Sequence, residues 1–445
     1  MGIVSQPSLF SWEIVEKSPE ILRLKRVLEF LPDNRLLDAL EAARKRRRND
    51  YPLVAMWNSL IAGVVFGHES VASLMRELSR NAELREVCGF DPLHGEKAVP
   101  NAWNYSRFFS SLFAYADLVE DMFERLVDRV GEALPDFGNN LAIDAKAVPT
   151  HGRKDEEANW GCKTYKGVNK NGKAYEKVYK WFGYKLHLLV DANYELPVAF
   201  EMTRASEADI NRMMPMIENL AESHPDIHER AETLCGDKGY DDGADMAALY
   251  DDHEILPIID TRDCFSNTPQ GPMRPLDEQS HDTIYYGPTG EVMCKVDPFA
   301  SDDEQRYVSM QFMGFESDRR TLKFRCPAAA YGTECKNRDA CKAAPQVKNG
   351  DYGRVVRVSL DRDRRLFLPA HRHSRTFRDA YKKRSSVERV NSRIDQVYGF
   401  ERHFIRGIKK IKLRMGLALI VMLATAVAWI EADKAEHMRS LLKAG

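Results

Sequence analysis

The sequence predicts an α/β protein: an all-helical N-terminal domain, then a mixed-sheet core interrupted by a β-rich insertion. Three observations predict it. Apolar residues recur at helical spacing from residue 20 to about 134. Beyond a turn-forming hexapeptide, short apolar runs alternate with helical stretches as far as residue 260. Residues 261–367 then break that rhythm with many Pro, Gly and Asp, and helices resume near Thr376. The implied units are 1–134, 141–260, 261–367 and 368–445, the last completing the core begun by the second. A chain of 445 residues has room for them at ~100–200 residues per domain, and 44% apolar against 30% charged residues is the balance of a folded, soluble protein.

In the first unit Leu22, Leu24, Val27, Leu28 and Leu31 make one helical face, and Leu36, Leu37, Leu40 and Ala43 another. Pro52 suits a first helical turn and opens an apolar helix through Leu53, Met56, Leu60 and Val64. Shorter helices over Glu69–Arg80 and Ala82–Cys88 precede a long one from Ser106 to Leu134. The basic run Arg44–Arg48 reads either as a solvated helix end or as a phosphate contact. After the linker Pro135–Asn140, Leu141-Ala142-Ile143 is a short strand ending on Asp144. Gly183–Val190 and Leu196–Met202 form a hairpin about Asp191–Glu195. A helix over Glu207–Ala221, a strand Thr233–Cys235, a helix Gly243–Tyr250 and a strand Ile255–Ile259 follow. In the insertion, alternation through Thr283–Tyr286 and Thr321–Phe324 marks further strands.

Residues 1–11 lack Lys, Arg and an apolar segment, so no secretory leader is expected. The uncharged apolar run Met415–Ile430 falls short of the ~18 residues of a membrane span and reads as a core helix. Eight cysteines in a chain this long do not make an extracellular disulfide framework. The expected setting is a reducing cytoplasm, with no membrane partner. The net charge of −2 hides an asymmetry: residues 371–415 hold fourteen Lys/Arg against four Asp/Glu, and residues 153–185 nine against four. Both stretches suit a polyanion such as DNA, and Lys409, Lys410 and Lys412 are candidate phosphate contacts. The second stretch reads as a Lys-rich loop, and Trp160 within it as a partly exposed structural residue or a base-stacking surface.

Three acidic residues stand out by position. Asp144 and Asp237 end core strands, and Glu388 lies in the most basic segment, where Tyr381, Arg384 and Glu388 are spaced to share one helical face. Two strand-end carboxylates and one helical one suit a pair of Mg²⁺ ions, which prefer oxygen ligands and take phosphate oxygens as the rest. Sixty-seven acidic residues offer many such triples, so spacing alone leaves a structural role open.

In order, Leu141-Ala142-Ile143-Asp144, Gly183-Tyr184-Lys185-Leu186-His187 with Val190-Asp191, Cys235-Gly236-Asp237-Lys238-Gly239-Tyr240, and Tyr381 with Arg384 and Glu388 resemble the successive signatures of bacterial insertion-sequence transposases of the DDE class. Residues 99–108, Val-Pro-Asn-Ala-Trp-Asn-Tyr-Ser-Arg-Phe, are similar to an element of those enzymes' helical domain. The resemblance implies an RNase H-like core in which Asp144, Asp237 and Glu388 bind two Mg²⁺ and Tyr381 and Arg384 contact transposon-end phosphates. One departure is that a lysine often found seven residues after the glutamate is Asp395 here, which leaves Lys383, Arg389 or Arg393 to supply a cation. Asp191, Asp209 and Asp241 are rival carboxylates, Asp191 the weakest because it falls in a turn.

The resemblance further implies double-stranded DNA partners (terminal inverted repeats and target DNA), a homodimer on DNA, cleavage at the element's ends, and transfer of the freed 3′-OH. End recognition is expected in the helices within 33–130, with Glu69–Cys88 as the reader. The alternatives are a transposase-derived DNA-binding protein without catalysis, and a sequence-specific nuclease that never rejoins ends. Finally, Cys294, Cys326, Cys335 and Cys341 offer four soft ligands for a structural Zn²⁺; the bland reading is four unlinked thiols. Cys264 is a spare, and Cys88, Cys162 and Cys235 read as packing residues.

Overall fold

The computed structural model describes residues 19–44, 51–152, 154–168, 172–262, 265, 273–276, 283–297, 307–338, 341 and 352–438. Residues 45–48 of the basic run and Cys264 lie outside these residues. The N-terminal unit is helical: α1 (Pro19–Phe30), α2 (Asn34–Ala43), α3 (Leu53–Val65), α4 (Val71–Arg80), α5 (Ala82–Cys88), α6 (Ala102–Leu112) and α7 (Ala116–Ala133). Capping fixes the starts of three of them. Ser70 and Ser73 form a reciprocal capping box at α4, Asn81 accepts from the Leu84 amide at α5, and Asn101 accepts from the Asn104 amide at α6. The single long helix expected from Ser106 to Leu134 is instead two, because a 3₁₀ turn at Phe113–Tyr115 re-aims the chain. Leu24, Val27 and Leu31 are buried as their spacing requires, whereas Leu22 lies on the exposed side.

The core sheet holds β1 (Asn140–Pro149), β2 (Asn159–Val168), β3 (Ala174–Asp191), β4 (Leu196–Arg204), β5 (Thr233–Gly236) and β6 (Leu256–Ile259), with α8 (Ile210–Ser223), α9 (Pro225–Glu229) and α10 (Gly243–Asp251) between strands. Its order is β4-β3-β1-β5-β6: β3 is antiparallel to β4 and β1, and β5 and β6 run parallel to β1. This is the mixed sheet of an RNase H-like core. β3 is twice the expected length, because its first half pairs with β2 from Ala174 to Gly183 before its second half pairs with β1. The Lys-rich stretch read as a loop is therefore a two-stranded arm, with Tyr175, Val178 and Tyr179 exposed along it. At the junction a Cβ on Gly183 would sit 2.4 Å from the Val148 carbonyl oxygen and 2.6 Å from the Thr150 nitrogen, so only glycine lets β3 pass from one partner to the next.

The insertion carries two small antiparallel sheets. One is ordered β10-β9-β8-β7, from β7 (Arg274–Pro275), β8 (Ile284–Tyr286), β9 (Val292–Lys295) and β10 (Tyr307–Ser309). The other is β11 (Gln311–Glu316), β12 (Thr321–Arg325) and β13 (Val355–Ser359), with the one-turn helix α11 (Pro327–Tyr331) after β12. They share an apolar cluster of their own, built on Phe265, Ile284, Tyr286, Leu322, Phe324 and Phe367. The chain returns to the core through α12 (Arg375–Tyr381), α13 (Ser385–Gln396) and α14 (Ile408–Glu431).

α14 is long and apolar enough to cross a membrane, yet 89% of its most apolar window is buried inside the protein. It packs on α1, α3 and α7 from the helical domain and on β4 of the sheet. Gly416 brings it within 3.4 Å of the Phe200 ring tip, measured from where a Cβ would stand, and Phe200 meets Phe123 of α7 edge-on at 5.1 Å. Arg26 lies 4.8 Å over the Trp429 ring, and Arg129 pairs with Glu431 at 2.8 Å. The helix assigned by sequence to the catalytic half is thus also the centre of the N-terminal bundle.

Candidate active site

The parallel pairing of β1 with β5 runs through Leu141↔Leu234 and Ala142↔Cys235. Asp144 and Asp237 each stand two residues past the last pair, so they emerge side by side where the parallel pairing of adjacent strands ends, close enough for the charge of Asp237 to act on Asp144. Asp144 does not end its strand, as the sequence suggested: β1 continues to Pro149, paired with β3 alone. Its edge towards β5 is left open there, as crevices at the carboxyl ends of parallel strands require.

Burial pushes the Asp144 carboxyl up to about 6; Lys163 of the arm opposes that rise and the charge of Asp237 adds to it. Asp237 caps the 3₁₀ turn Lys238–Tyr240 and accepts from the Gly239 amide at 2.6 Å. A Cβ on Gly239 would lie 2.6 Å from that same carboxylate oxygen, so glycine keeps it accessible. Near both carboxylates the Tyr240 hydroxyl is buried with no hydrogen-bond partner among the described residues, held neutral by burial and by the fields of Asp209, Asp144 and Asp237.

Tyr381, Arg384 and Glu388 do not sit on one uninterrupted α-helix. Tyr381 ends α12, a 3₁₀ turn covers Lys382–Arg384, and Glu388 lies in the first turn of α13. Helical dihedrals persist through the turn, so the shared face survives: Arg384 pairs with Glu388 at 2.8 Å and lies 5.8 Å from the Tyr381 ring centre. Tyr381 stacks on Phe377 at 5.8 Å. α13 packs across β1 and β3, and Arg384 feels the charges of both Glu388 and Asp144. The structure thus sets two carboxylates together, while the third is paired with a guanidinium that lies within the field of Asp144. Among the described residues, no three His, Cys, Asp or Glu side chains are placed to hold one metal ion.

The rivals have other duties. Asp191 is buried in the β3–β4 turn, accepting from the Gly138 amide at 2.9 Å and from the Tyr194 amide. Asp241 holds Thr261 and the Arg262 amide at 2.9 and 2.7 Å. Asp209 borders the site but is paired with Lys185 at 2.7 Å.

The transposase DDE domain family matches residues 136–424, a span that contains both aspartates, the insertion and Glu388. The chain belongs to the DDE-domain transposases. A second family, described as a transposase domain (DUF772), matches residues 13–111 of the helical unit. No curated protein matches the chain. A similar solved structure is the piggyBac transposase synaptic complex with hairpin DNA, 12% identical over 97% of this chain and 80% of that one, with a TM-score of 0.37.

In this transposase, much of the basic segment is already engaged. Arg389 pairs with Glu195 at 2.8 Å, Arg393 pairs with the same glutamate, and Lys383 donates to Asn193 at 3.2 Å, so all three brace the β3–β4 turn. Lys412 meets Glu120 of α7 at 2.6 Å. Lys409 and Lys410 are exposed. Lys410 lines a cavity of about 470 Å³ between the helical domain and residues 404–417, with Arg406 and His151. Two further site residues escaped sequence reading. Lys163 faces Asp144 from the arm, which spacing in a presumed loop did not reveal. Lys146, two residues beyond Asp144 on the same face of β1, forms an ion pair with Asp395, seven residues beyond Glu388 on α13. The departure at Asp395 is therefore matched by a cation from the strand.

DDE transposases generally use divalent metal ions. The donor set here fits hard cations: two like-charged carboxylates side by side and an orphaned phenol hydroxyl near them form an electronegative pocket that a cation would relieve. The four insertion cysteines stand apart from this site, together around a cavity of their own.

Proposed function

We propose that this transposase cleaves the phosphodiesters at its element's ends, with Asp144, Asp237 and Glu388 as the acidic set, and joins the freed 3′-OH to target DNA. The observation that carries the reading is the adjacency of Asp144 and Asp237 near the Arg384–Glu388 pair at the start of α13. Two Mg²⁺ ions held by these carboxylates would supply activation of the attacking oxygen and neutralisation of the leaving one. The chain's own groups do the rest. Arg384, already balanced between Glu388 and Asp144, is placed to exchange a carboxylate for a phosphate oxygen when DNA enters. Tyr381, propped on Phe377, fixes the guanidinium's approach. Lys163 carries positive charge to the open edge of β1. Lys409, Lys410 and Arg406 extend that charge along the backbone of a bound duplex.

The test uses the full chain with Mg²⁺ and a duplex carrying the terminal inverted repeats that flank its gene. Strand nicks at the repeat ends, followed by covalent joining to a second duplex, are expected. Nicks without joining favour the nuclease; salt-sensitive binding without nicks favours the inert DNA-binding protein. Gel filtration of the complex reads whether two chains assemble on paired ends.

A further inference from the structure

We infer that Cys294, Cys326, Cys335 and Cys341 bind one structural zinc ion that fastens the outer end of the insertion. These cysteines come from separate places in the chain: β9, the residue capping α11, the stretch after α11, and a helical residue beyond it. All four nevertheless line a single cavity of about 40 Å³. That is room for one ion, or about one water. The other described cysteines lie far from it in the fold: Cys88 in α5, Cys162 on the arm, Cys235 in β5. The four are close enough for charge on each of the other three to act on Cys294, and none forms a disulfide.

A second observation concerns charge. Four thiolates on Zn²⁺ carry a net −2, which an apolar surround tolerates poorly. Arg338 and Arg354 line the same cavity, and the charge of Arg354 favours the thiolates of Cys294 and Cys341, that of Arg338 the thiolate of Cys335. Two guanidinium groups are the complement such a centre needs.

A third observation supplies the physical need. The insertion's apolar cluster is built around the two sheets, and none of its described buried members lies between 326 and 341. Among the described residues of that segment only Pro327 is buried, which leaves little core to order it, a situation in which small folds rely on a metal. The sulfurs line the cavity without yet meeting at one point, so binding turns them inward to the ~2.3 Å distances of a tetrahedral site.

The experiment measures zinc in the full-length protein, purified without a metal-binding tag, reduced, incubated with ZnSO₄ and desalted. About one equivalent is expected. The paired substitution Cys326→Ser with Cys341→Ser should lower it at least about fivefold, while Cys162→Ser keeps it. Less than about a fifth of an equivalent in the parent, or undiminished zinc in the paired variant, overturns the proposal. Should the paired variant fail to fold, Co²⁺ titration of the parent decides independently. Intense thiolate-to-cobalt charge transfer with tetrahedral ligand-field bands supports the site; a weak octahedral spectrum rejects it. None of these readouts depends on DNA cleavage.

Discussion

Replacing Asp144 or Asp237 by Asn is expected to lower Mg²⁺-dependent nicking of element-end DNA by at least roughly a hundredfold, with DNA affinity changed by less than about twofold. The two effects separate because they rest on different groups. Affinity comes from many phosphate contacts, and an isosteric amide removes none of them. On the proposed reading, nicking would instead depend on two carboxylates that the fold keeps adjacent against their mutual repulsion. The same repulsion predicts the sign of the stability change. Asp144→Asn relieves a buried carboxyl whose ionisation is opposed by burial and by Asp237, so its thermal midpoint should equal or exceed the parent's. Loss of nicking with unchanged stability would place the defect in chemistry. Glu388→Gln should lose nicking similarly, since it also deprives Arg384 of its partner. A variant retaining nicking within about threefold of the parent would remove that residue from the acidic set.

The second large effect is expected at the Lys146–Asp395 pair. Lysine and aspartate are only 16% and 30% exposed, and they join the strand of Asp144 to the helix of Glu388. Lys146→Asp sets two carboxylates against each other in that position, and should cost about 2–3 kcal/mol of stability after allowance for partial solvent screening. Nicking, measured well below the unfolding temperature, should fall about tenfold or more as α13 loses its hold on β1. Combining Lys146→Asp with Asp395→Lys restores the pair in reverse and should return most of both losses. If the double variant is no better than Lys146→Asp alone, the pair is not the tie between strand and helix. Thermal unfolding and single-turnover nicking of the four proteins give the complete cycle.

Sequence reading reached which residues the fold brings together further than how it does so. Asp144 and Asp237 were legible because each follows a short apolar run, the mark of a strand leaving a parallel sheet. The face shared by Tyr381, Arg384 and Glu388 was legible because helical and 3₁₀ turns place residues three and seven apart similarly over a short distance. The arm was not. Both of its faces are largely exposed, so β3 from Ala174 to Lys180 lacks the apolar alternation that marks a half-buried strand. Nor was the division of α6 from α7, since Phe113 and Tyr115 keep a helical apolar pattern through the 3₁₀ turn. Lys146, Lys163 and the engagement of Arg389 and Arg393 with Glu195 are matters of register and packing between distant segments, which a single sequence does not carry.

The enclosed position of α14 sets an order of events during synthesis. The faces of α1, α3 and α7 that will cover it are complete once residue 133 has been made, yet the helix that fills the space among them begins at residue 408. At ~5–20 residues per second, those apolar faces wait roughly 15 to 60 s for their centre to leave the ribosome. A ribosome-bound chain halted at residue 400 should accordingly be cut by protease within 19–133, where the finished protein resists. Because this helix packs on the first domain as well as on the sheet, a chain cut short before residue 408 should lose the support of both at once.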